Sequence, residues 1–576
     1  MILDQIRIHN YRSITEACIA VQNFTMLIGA NNAGKSNFIN ALRCFYGDLK
    51  WTADDLPKNQ SDTKNLESWV ELSFILSDTE WNALDEKYTE SVCDQRLVLK
   101  RYFQGPKAKA RQSNIYAVVN GKEDDTAFYG ANNTGITKCG RIIYIPALTS
   151  PNEQLKTSGP SPLRDLLSYM LSRSCPQSPA YAQLGQAIEQ LNDDANRESG
   201  FLSTIAQPLN DALRSWNVRM DLSVNPITPE VIIKSLFSYS FADQMLGNVS
   251  FGLDRFGHGF QRAVIFELIR LASSMHNDNV ASQNSDFDPD FTLFLFEEPE
   301  AFLHPSQQEN MAYYLRRIAQ KSGQQVFVTS HSPVFVSKNG DELAQICRIQ
   351  KINGISQFYQ LDQKEQIELF DAGGDLLNVL KRYVANSNAS KSQKERAQNL
   401  IDNAPSEDIA AQYEKFRFQM WLDSDRASLF FADKVLLVEG ATEKMLFNYL
   451  LSNDWHDLTN ERILVVDALG KYNFHRFLSL FEAYGIRHGI MLDNDNNNNE
   501  NAVINQLIRN RKNAHTLADP FEFEKDLETF LGISLPNRNE QKPLNILHAL
   551  KTGTIQPERL VLLREAFCKA LGIKNL

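Results

Sequence analysis

Phe24-Thr25-Met26-Leu27-Ile28-Gly29-Ala30-Asn31-Asn32-Ala33-Gly34-Lys35-Ser36 is the stretch on which the fold turns. Five apolar or β-favouring residues form a strand-sized run. It breaks at Gly29, and the chain resumes after Ser36 with apolar residues at helical spacing, Phe38, Ile39, Leu42 and Phe45. The intervening eight residues fit G-x-x-x-x-G-K-S in the strand–loop–helix setting that gives the pattern its meaning. Glycines let backbone N–H groups wrap an anion without Cβ clashes, and the following helix adds the partial positive charge of its N-terminus. On this reading Gly29, Asn31, Asn32, Gly34, Lys35, Ser36 and Asn37 line a phosphate site. Lys35 reaches the outer phosphates, and the Ser36 hydroxyl ligates Mg²⁺.

Three later segments belong with this loop. Thr292-Leu293-Phe294-Leu295-Phe296-Glu297-Glu298 is a buried strand ending in two acids. The first acid, Glu297, suits a place near Mg²⁺, and the second, Glu298, suits orienting a water. Val326-Phe327-Val328-Thr329-Ser330-His331 is a further strand ending in a histidine placed to meet a terminal phosphate. Phe256-Gly257-His258-Gly259-Phe260-Gln261-Arg262 reads as a glycine turn opening a helix. The segment also resembles a degenerate ABC signature, which implies that Gly257 and Gly259 cap a nucleotide on a second subunit.

Working outward, the 576 residues carry 59 Lys+Arg against 70 Asp+Glu, a formal charge of −11. That balance excludes a wholly basic nucleic-acid coat, so any DNA contact needs a local basic surface or metal ions. The hydrophobic and charged fractions, 43% and 22%, exclude a disordered or collagen-like chain. Seven cysteines without knuckle or redox-pair spacing read as reduced thiols. The opening residues lack a signal-peptide pattern, and no apolar run approaches the roughly 20 residues that cross a bilayer. A soluble cytoplasmic protein with no membrane partner is the expectation. Val231-Ile232-Ile233 is expected as a strand, and the residues from about Leu163 to Leu222 as helices.

A second α/β pattern opens at Lys434-Val435-Leu436-Leu437-Val438-Glu439-Gly440-Ala441-Thr442-Glu443. Glu439 ends the strand and Glu443 lies one helical turn on. Gly489-Ile490-Met491-Leu492-Asp493-Asn494-Asp495 is a strand ending in D-x-D, its two acids on one side by alternation. An isolated D-x-D is ordinarily an exposed acidic turn. Parallel strands, however, gather their C-terminal ends on one edge, where four carboxylates repel one another unless cations lie between them. Oxygen ligands select hard ions, Mg²⁺ or Mn²⁺, and a pair of such ions is a known device for cutting phosphodiesters. Two basic runs are candidates for DNA contact: Lys100, Arg101, Lys107, Lys109 and Arg111, and then Arg509, Arg511 and Lys512. Both also read as solvated faces.

The first set of motifs, with Ile8-His9-Asn10-Tyr11-Arg12-Ser13-Ile14 as an opening strand, resembles the ABC-type ATPase heads of the RecF/SMC group over residues 1–360. E-G-x-x-E followed by D-x-D resembles the Toprim fold. The two in this order resemble the OLD (overcoming lysogenization defect) family of nucleases, a group that includes Gabija-type and retron-associated anti-phage effectors. The resemblance implies an α/β fold of five parts. Residues 1–160 make the first ATPase lobe, 161–225 a helical insertion for dimerisation, and 226–362 the second lobe. A helical connector covers 363–430 and a Toprim nuclease domain 431–576.

It further implies ATP between the heads of a homodimer or higher oligomer, DNA as substrate, and a helicase or retron RNA/DNA as a candidate partner. The function implied is a divalent-metal-dependent DNA endonuclease, nicking or cutting, under ATPase-head control. A two-metal site would be held by Glu439, Glu443, Asp493, Asp495 and Glu524, with Asp526 or Glu528 as alternatives to Glu524. Lys542 would steady the scissile phosphate, and Lys471 would touch phosphate. The rival readings are a RecF/SMC-like repair ATPase that binds but does not cleave DNA, and a topoisomerase-like enzyme with a covalent tyrosine.

Overall fold

The computed structural model describes residues 1–58, 67–89, 95–130, 136, 138–147, 161–175, 178–197, 200–224, 231–232, 240–243, 247, 249–252, 255–274, 287–301, 303–336, 340–385, 391–403, 422, 426–494, 500–536 and 538–573. Two sheets form the N-terminal head. The first is mixed and six-stranded, ordered Ile355–Gln360, Ile346–Ile352, Phe24–Ile28, Gln324–Ser330, Thr292–Glu297, Arg141–Ile145. Phe24–Ile28 and its neighbours on both sides run parallel, and only the edge strand Ile355–Gln360 is antiparallel. The central strands are apolar along their whole length because helices cover the sheet. Phe24–Ile28 is buried at every position, as is Gln324–Ser330.

The second head sheet is antiparallel, ordered Ile14–Ala20, Ile2–Tyr11, Ser68–Ile75, Arg96–Gln104, Ile115–Val119, Lys122–Glu123. The helix Lys35–Tyr46 packs between the two sheets, burying Phe38, Ile39, Leu42 and Phe45. Gly47, at φ 77°, ends it in a left-handed cap that a Cβ would strain.

Helices Pro162–Ser174, Pro179–Asn196 and Phe201–Leu213 follow, the last two with little cover. Val231 and Ile232, expected in a strand, are helical, and Ile233 lies outside the described residues. Three apolar residues in a row fit a short helix as well as a strand, so periodicity alone does not choose between them.

Helices Gln363–Ala385 and Lys391–Asp402 lead to the C-terminal unit, where Gln363–Ala385 packs on helices Phe474–Ala483 and Glu500–Asn510. That unit is built on a four-stranded parallel sheet ordered Ile463–Asp467, Lys434–Val438, His488–Asp493, Phe521–Phe523.

One buried arginine ties the two units together. Arg348 lies beside Ile28 in the head sheet. Its guanidinium donates to the carbonyls of Phe430, Ala432, Tyr484 and Gly485, at 2.9 to 3.1 Å. These bonds offset much of the desolvation cost of the charge. Burial still lowers its pKa to about 10.

Candidate functional site

The loop Gly29–Gly34 leaves the C-terminal end of Phe24–Ile28 in a conformation few sequences support. Gly29 (φ 147°) and Gly34 (φ 118°) both lie in the region favouring glycine. A Cβ on Gly29 would collide with the Ile349 carbonyl, and one on Gly34 with the Ser356 hydroxyl. Asn32 takes a left-handed turn at φ 64°. Asn31, Asn32 and Ser36 are exposed around the rim. Lys35 is 6% exposed, and its ammonium donates to the carbonyls of Gly29 (2.9 Å) and Ala30 (3.0 Å). Burial pushes Lys35 down to about 8 against the opposing pull of Glu298, Glu300 and Glu297. The Asn37 side chain donates to the Ser13 hydroxyl (2.8 Å) and accepts from Arg12, so it braces the loop from behind.

Parallel pairing sets the acids and the histidine on the same edge. Glu297 lies level with Thr329, and Ser330 level with Ile28. Tyr144 donates its hydroxyl to Glu297 at 2.6 Å. Glu298, at φ 44°, turns its carboxylate to His331, 3.3 Å away. Burial and the Lys35 charge lower the His331 pKa despite that carboxylate. Glu300 accepts from the Ser330 hydroxyl and the His331 N–H, so it fixes the histidine turn rather than facing the loop. Gly257 and Gly259 lie at the start of helix His258–Ser274, and Gly257 is exposed.

The second cluster lies on the C-terminal edge of the other sheet. Gly440 opens helix Ala441–Asn453, and its N–H donates to Glu443 at 3.0 Å. Lys471 links the two acidic strand ends: its ammonium donates to the Asp493 carbonyl at 2.6 Å and lies 3.6 Å from the Glu439 carboxylate. Lys471 is 3% exposed, and both of these contacts are internal. Burial, with Glu439 and Glu528 adding repulsion, pushes the Glu443 carboxyl up to about 7 against two backbone hydrogen bonds. Lys542 lies 3.4 Å from Glu528, and the nearby charges of Glu528, Asp493 and Glu443 raise its pKa although burial opposes them.

Glu524, expected among the ligands, is exposed beyond strand Phe521–Phe523. Asp526 caps helix Leu527–Leu531 by accepting from the Thr529 N–H. Glu528, 2% exposed, is the acid of this segment brought against Glu443 and Lys542. The pattern Asp526-Leu527-Glu528 carried the signal: an Asp spent as an N-cap sends the next acid into the helix. Asp495 lies outside the described residues. Among the described residues no three acids, histidines or cysteines stand within common metal-ligating range. Asp467, the other acid on this edge, is neutralised by Arg426 (2.9 and 3.0 Å) and Lys444 (3.4 Å).

Six of the eight cations in the two basic runs are engaged within the chain, while Lys109 and Arg111 are exposed. Lys100 and Lys107 pair with Glu123, and Arg101 donates to the carbonyls of Cys44 and Phe45. Arg509 pairs with Glu522 at 2.5 Å, Lys512 with Asp519, and Arg511 donates to Ser479.

A family model described as AAA ATPase domain matches residues 1–133 and 147–336, more than half of the chain. The chain belongs to this ATPase family. An overcoming lysogenization defect protein-like TOPRIM domain model matches residues 430–495, which span Glu439, Glu443, Asp493 and Asp495. The head and the acidic sheet are therefore an ATPase domain and a TOPRIM domain in one chain, with ATP the cofactor of the first and a divalent metal that of the second. Among the curated relatives, Old nuclease of Escherichia phage P2 is 24% identical over 86% of this chain and 77% of its own length. Endonuclease GajA of Bacillus cereus (strain VD045) is 22% identical over 86% and 75%. OLD nuclease of Thermus scotoductus (strain ATCC 700910 / SA-01) is 21% identical over 96% and 95%. Among the described residues no helix is long and apolar enough to cross a membrane.

The TOPRIM cluster makes a thermodynamic prediction of its own. A carboxyl ordinarily at 4.5 and held at about 7 in the fold binds its proton more tightly folded than unfolded. The contribution of Glu443 to stability is then greatest below about pH 4.5 and falls as pH rises through 7, by up to about 3 kcal/mol. Glu443→Gln keeps the shape and the acceptor for Gly440. In metal-free buffer it is expected to melt with wild type at pH 5 and several degrees above it at pH 8. Equal melting temperatures at pH 8 would show that Glu443 carries no such burden.

Proposed function

We propose that this chain is an ATP-binding, Mg²⁺- or Mn²⁺-dependent DNA endonuclease, nicking or cutting, that works as a homodimer or larger assembly in anti-phage defence. The observation that carries the reading is the linked acid edge of the TOPRIM sheet. Lys471 joins the Glu439 carboxylate to the Asp493 strand end, and Lys542 senses the charges of Asp493 and Glu443, in the same chain as a phosphate loop. The donor set is all oxygen, which suits hard ions. Burial, with the charges of Glu439 and Glu528 adding to it, holds the Glu443 carboxyl high, a burden that a bound cation would relieve.

In this reading Glu439, Glu443, Asp493 and Asp495 hold the ions, and Glu528 or Glu524 completes the set. Divalent ions there supply an activated water and neutralise charge on the scissile phosphate. Lys471 fixes the distance between the Glu439 and Asp493 strand ends. Lys542, on the rim, donates to the phosphate oxygens as negative charge builds. At the head, Lys35, Ser36 and Glu297 hold ATP with its Mg²⁺, Glu298 and His331 flank its terminal phosphate, and Gly257 and Gly259 cap the nucleotide of the partner. Assembly through the head, with helices 162–213 adding to the contact, follows from that capping role. A helicase or retron RNA/DNA partner fits the same defence role.

A non-cleaving repair ATPase needs no acid edge, so that edge favours the nuclease. Supercoiled plasmid incubated with the full chain and Mg²⁺ or Mn²⁺, with and without ATP, tests the reading directly. Conversion to nicked or linear DNA is expected, and intact plasmid under every metal condition would overturn it.

A further inference from the structure

A cleft of about 200 Å³ opens where the ATPase head meets the TOPRIM domain. One wall is Gly29 to Asn31 with His331, where the phosphate loop meets the histidine turn. The other wall comes from the TOPRIM side, from Phe431 to Asp433 and Arg462. Arg462 sits at φ 50° in a tight turn after the short helix His456–Glu461. Its guanidinium lies 3.5 Å from Asp433, and its side chain is 70% exposed. A pair this open is screened by water and costs little to exchange. The charge balance of the cleft calls for such a cation. Glu297 and Glu298 stand beside the loop, Lys35 is already turned onto two carbonyls, and His331 is held below its ordinary pKa.

We propose that Arg462, supplied by the TOPRIM domain of the same chain, binds the terminal phosphate of ATP held by the loop Gly29–Ser36, leaving Asp433 to do so. The assignment rests on the ATP site proposed above and names its missing cation. The guanidinium suits the task because its planar donors match phosphate oxygens in pairs. Asp433 is the opposing element: it neutralises Arg462 when the site is empty and repels the phosphate when it is full. The placement also ties the head to the acid edge. Arg462 immediately precedes strand Ile463–Asp467, and Asp433 immediately precedes Lys434–Val438. The two strands are paired from Lys434 with Ile463 to Val438 with Asp467. Glu439 stands at the far end of this ladder, about 20 Å from Asp433 at roughly 3.3 Å per residue.

The test is calorimetric titration of the full chain with MgATP and with MgADP. Arg462→Gln is expected to weaken ATP about tenfold, the effect of one charge-assisted phosphate contact, and ADP less than about twofold. Asp433→Asn is expected to tighten ATP several-fold, a direction that general damage to the fold does not produce. Equal effects on ATP and ADP, or no effect of either substitution, would overturn the Arg462 assignment while leaving the ATP site standing. No ATP binding by the wild-type chain would overturn both.

Discussion

Asp493→Ala lowers metal-dependent nicking of supercoiled plasmid by at least about 100-fold, the loss expected when a group acting directly on the reaction is removed. Asp493 ends the central TOPRIM strand His488–Asp493, flanked on one side by Lys434–Val438 and on the other by Phe521–Phe523. Its backbone carbonyl is held by Lys471, which also faces Glu439. The side chain can therefore be cut back without loosening the strand end, because the lysine grips the main chain. Removing one carboxylate also relieves repulsion within the cluster, so the variant is expected to fold and melt no lower than wild type in metal-free buffer. Loss of cleavage together with retained ATP binding locates the defect at the acid edge. Wild-type nicking by the variant would remove Asp493 from the chemistry and reopen the choice of a non-cleaving ATPase.

The parts of this molecule legible in the sequence are those whose determinants are contiguous. The loop Gly29–Ser36 announces itself because glycines, a lysine and a hydroxyl must follow a strand and precede a helix within a few residues. Glu439 and Asp493 were legible for the same reason: each ends a strand, and parallel strands end together. The partners of the basic runs were not legible, because they are distant. Glu123 folds back onto Lys100 and Lys107, and Glu522 onto Arg509, pairings that no local pattern encodes. Glu528 was obscured by a rival two residues earlier that serves as a helix cap. Arg348 and Arg462 were invisible altogether. What matters in each is a packing between domains, through carbonyls in one case and across a cleft in the other, and carbonyls leave no trace in the residue alphabet.

Lys35→Met is expected to weaken ATP binding by at least about 100-fold while leaving the melting temperature unchanged or higher. The two halves of the prediction have different causes. Binding falls because the ammonium that turns from the Gly29 and Ala30 carbonyls to a phosphate oxygen is gone, in a low-dielectric loop where a full charge on phosphate is worth several ordinary hydrogen bonds. Stability does not fall, because Lys35 is costly in the empty fold. Its pKa is driven from 10.5 to about 8 by burial. The folded state therefore holds this proton less tightly than the unfolded chain, and stability gained from its release appears only as pH climbs from about 8 towards 10.5. At pH 7 the buried charge costs up to about 3 kcal/mol, which methionine of similar length avoids. The freed carbonyls of Gly29 and Ala30 border the open cleft, where water can serve them. Calorimetry with MgATP and a melt at pH 7 check the two halves separately. ATP affinity equal to wild type would remove Lys35 from the nucleotide site, and with it the reason for placing Arg462 opposite.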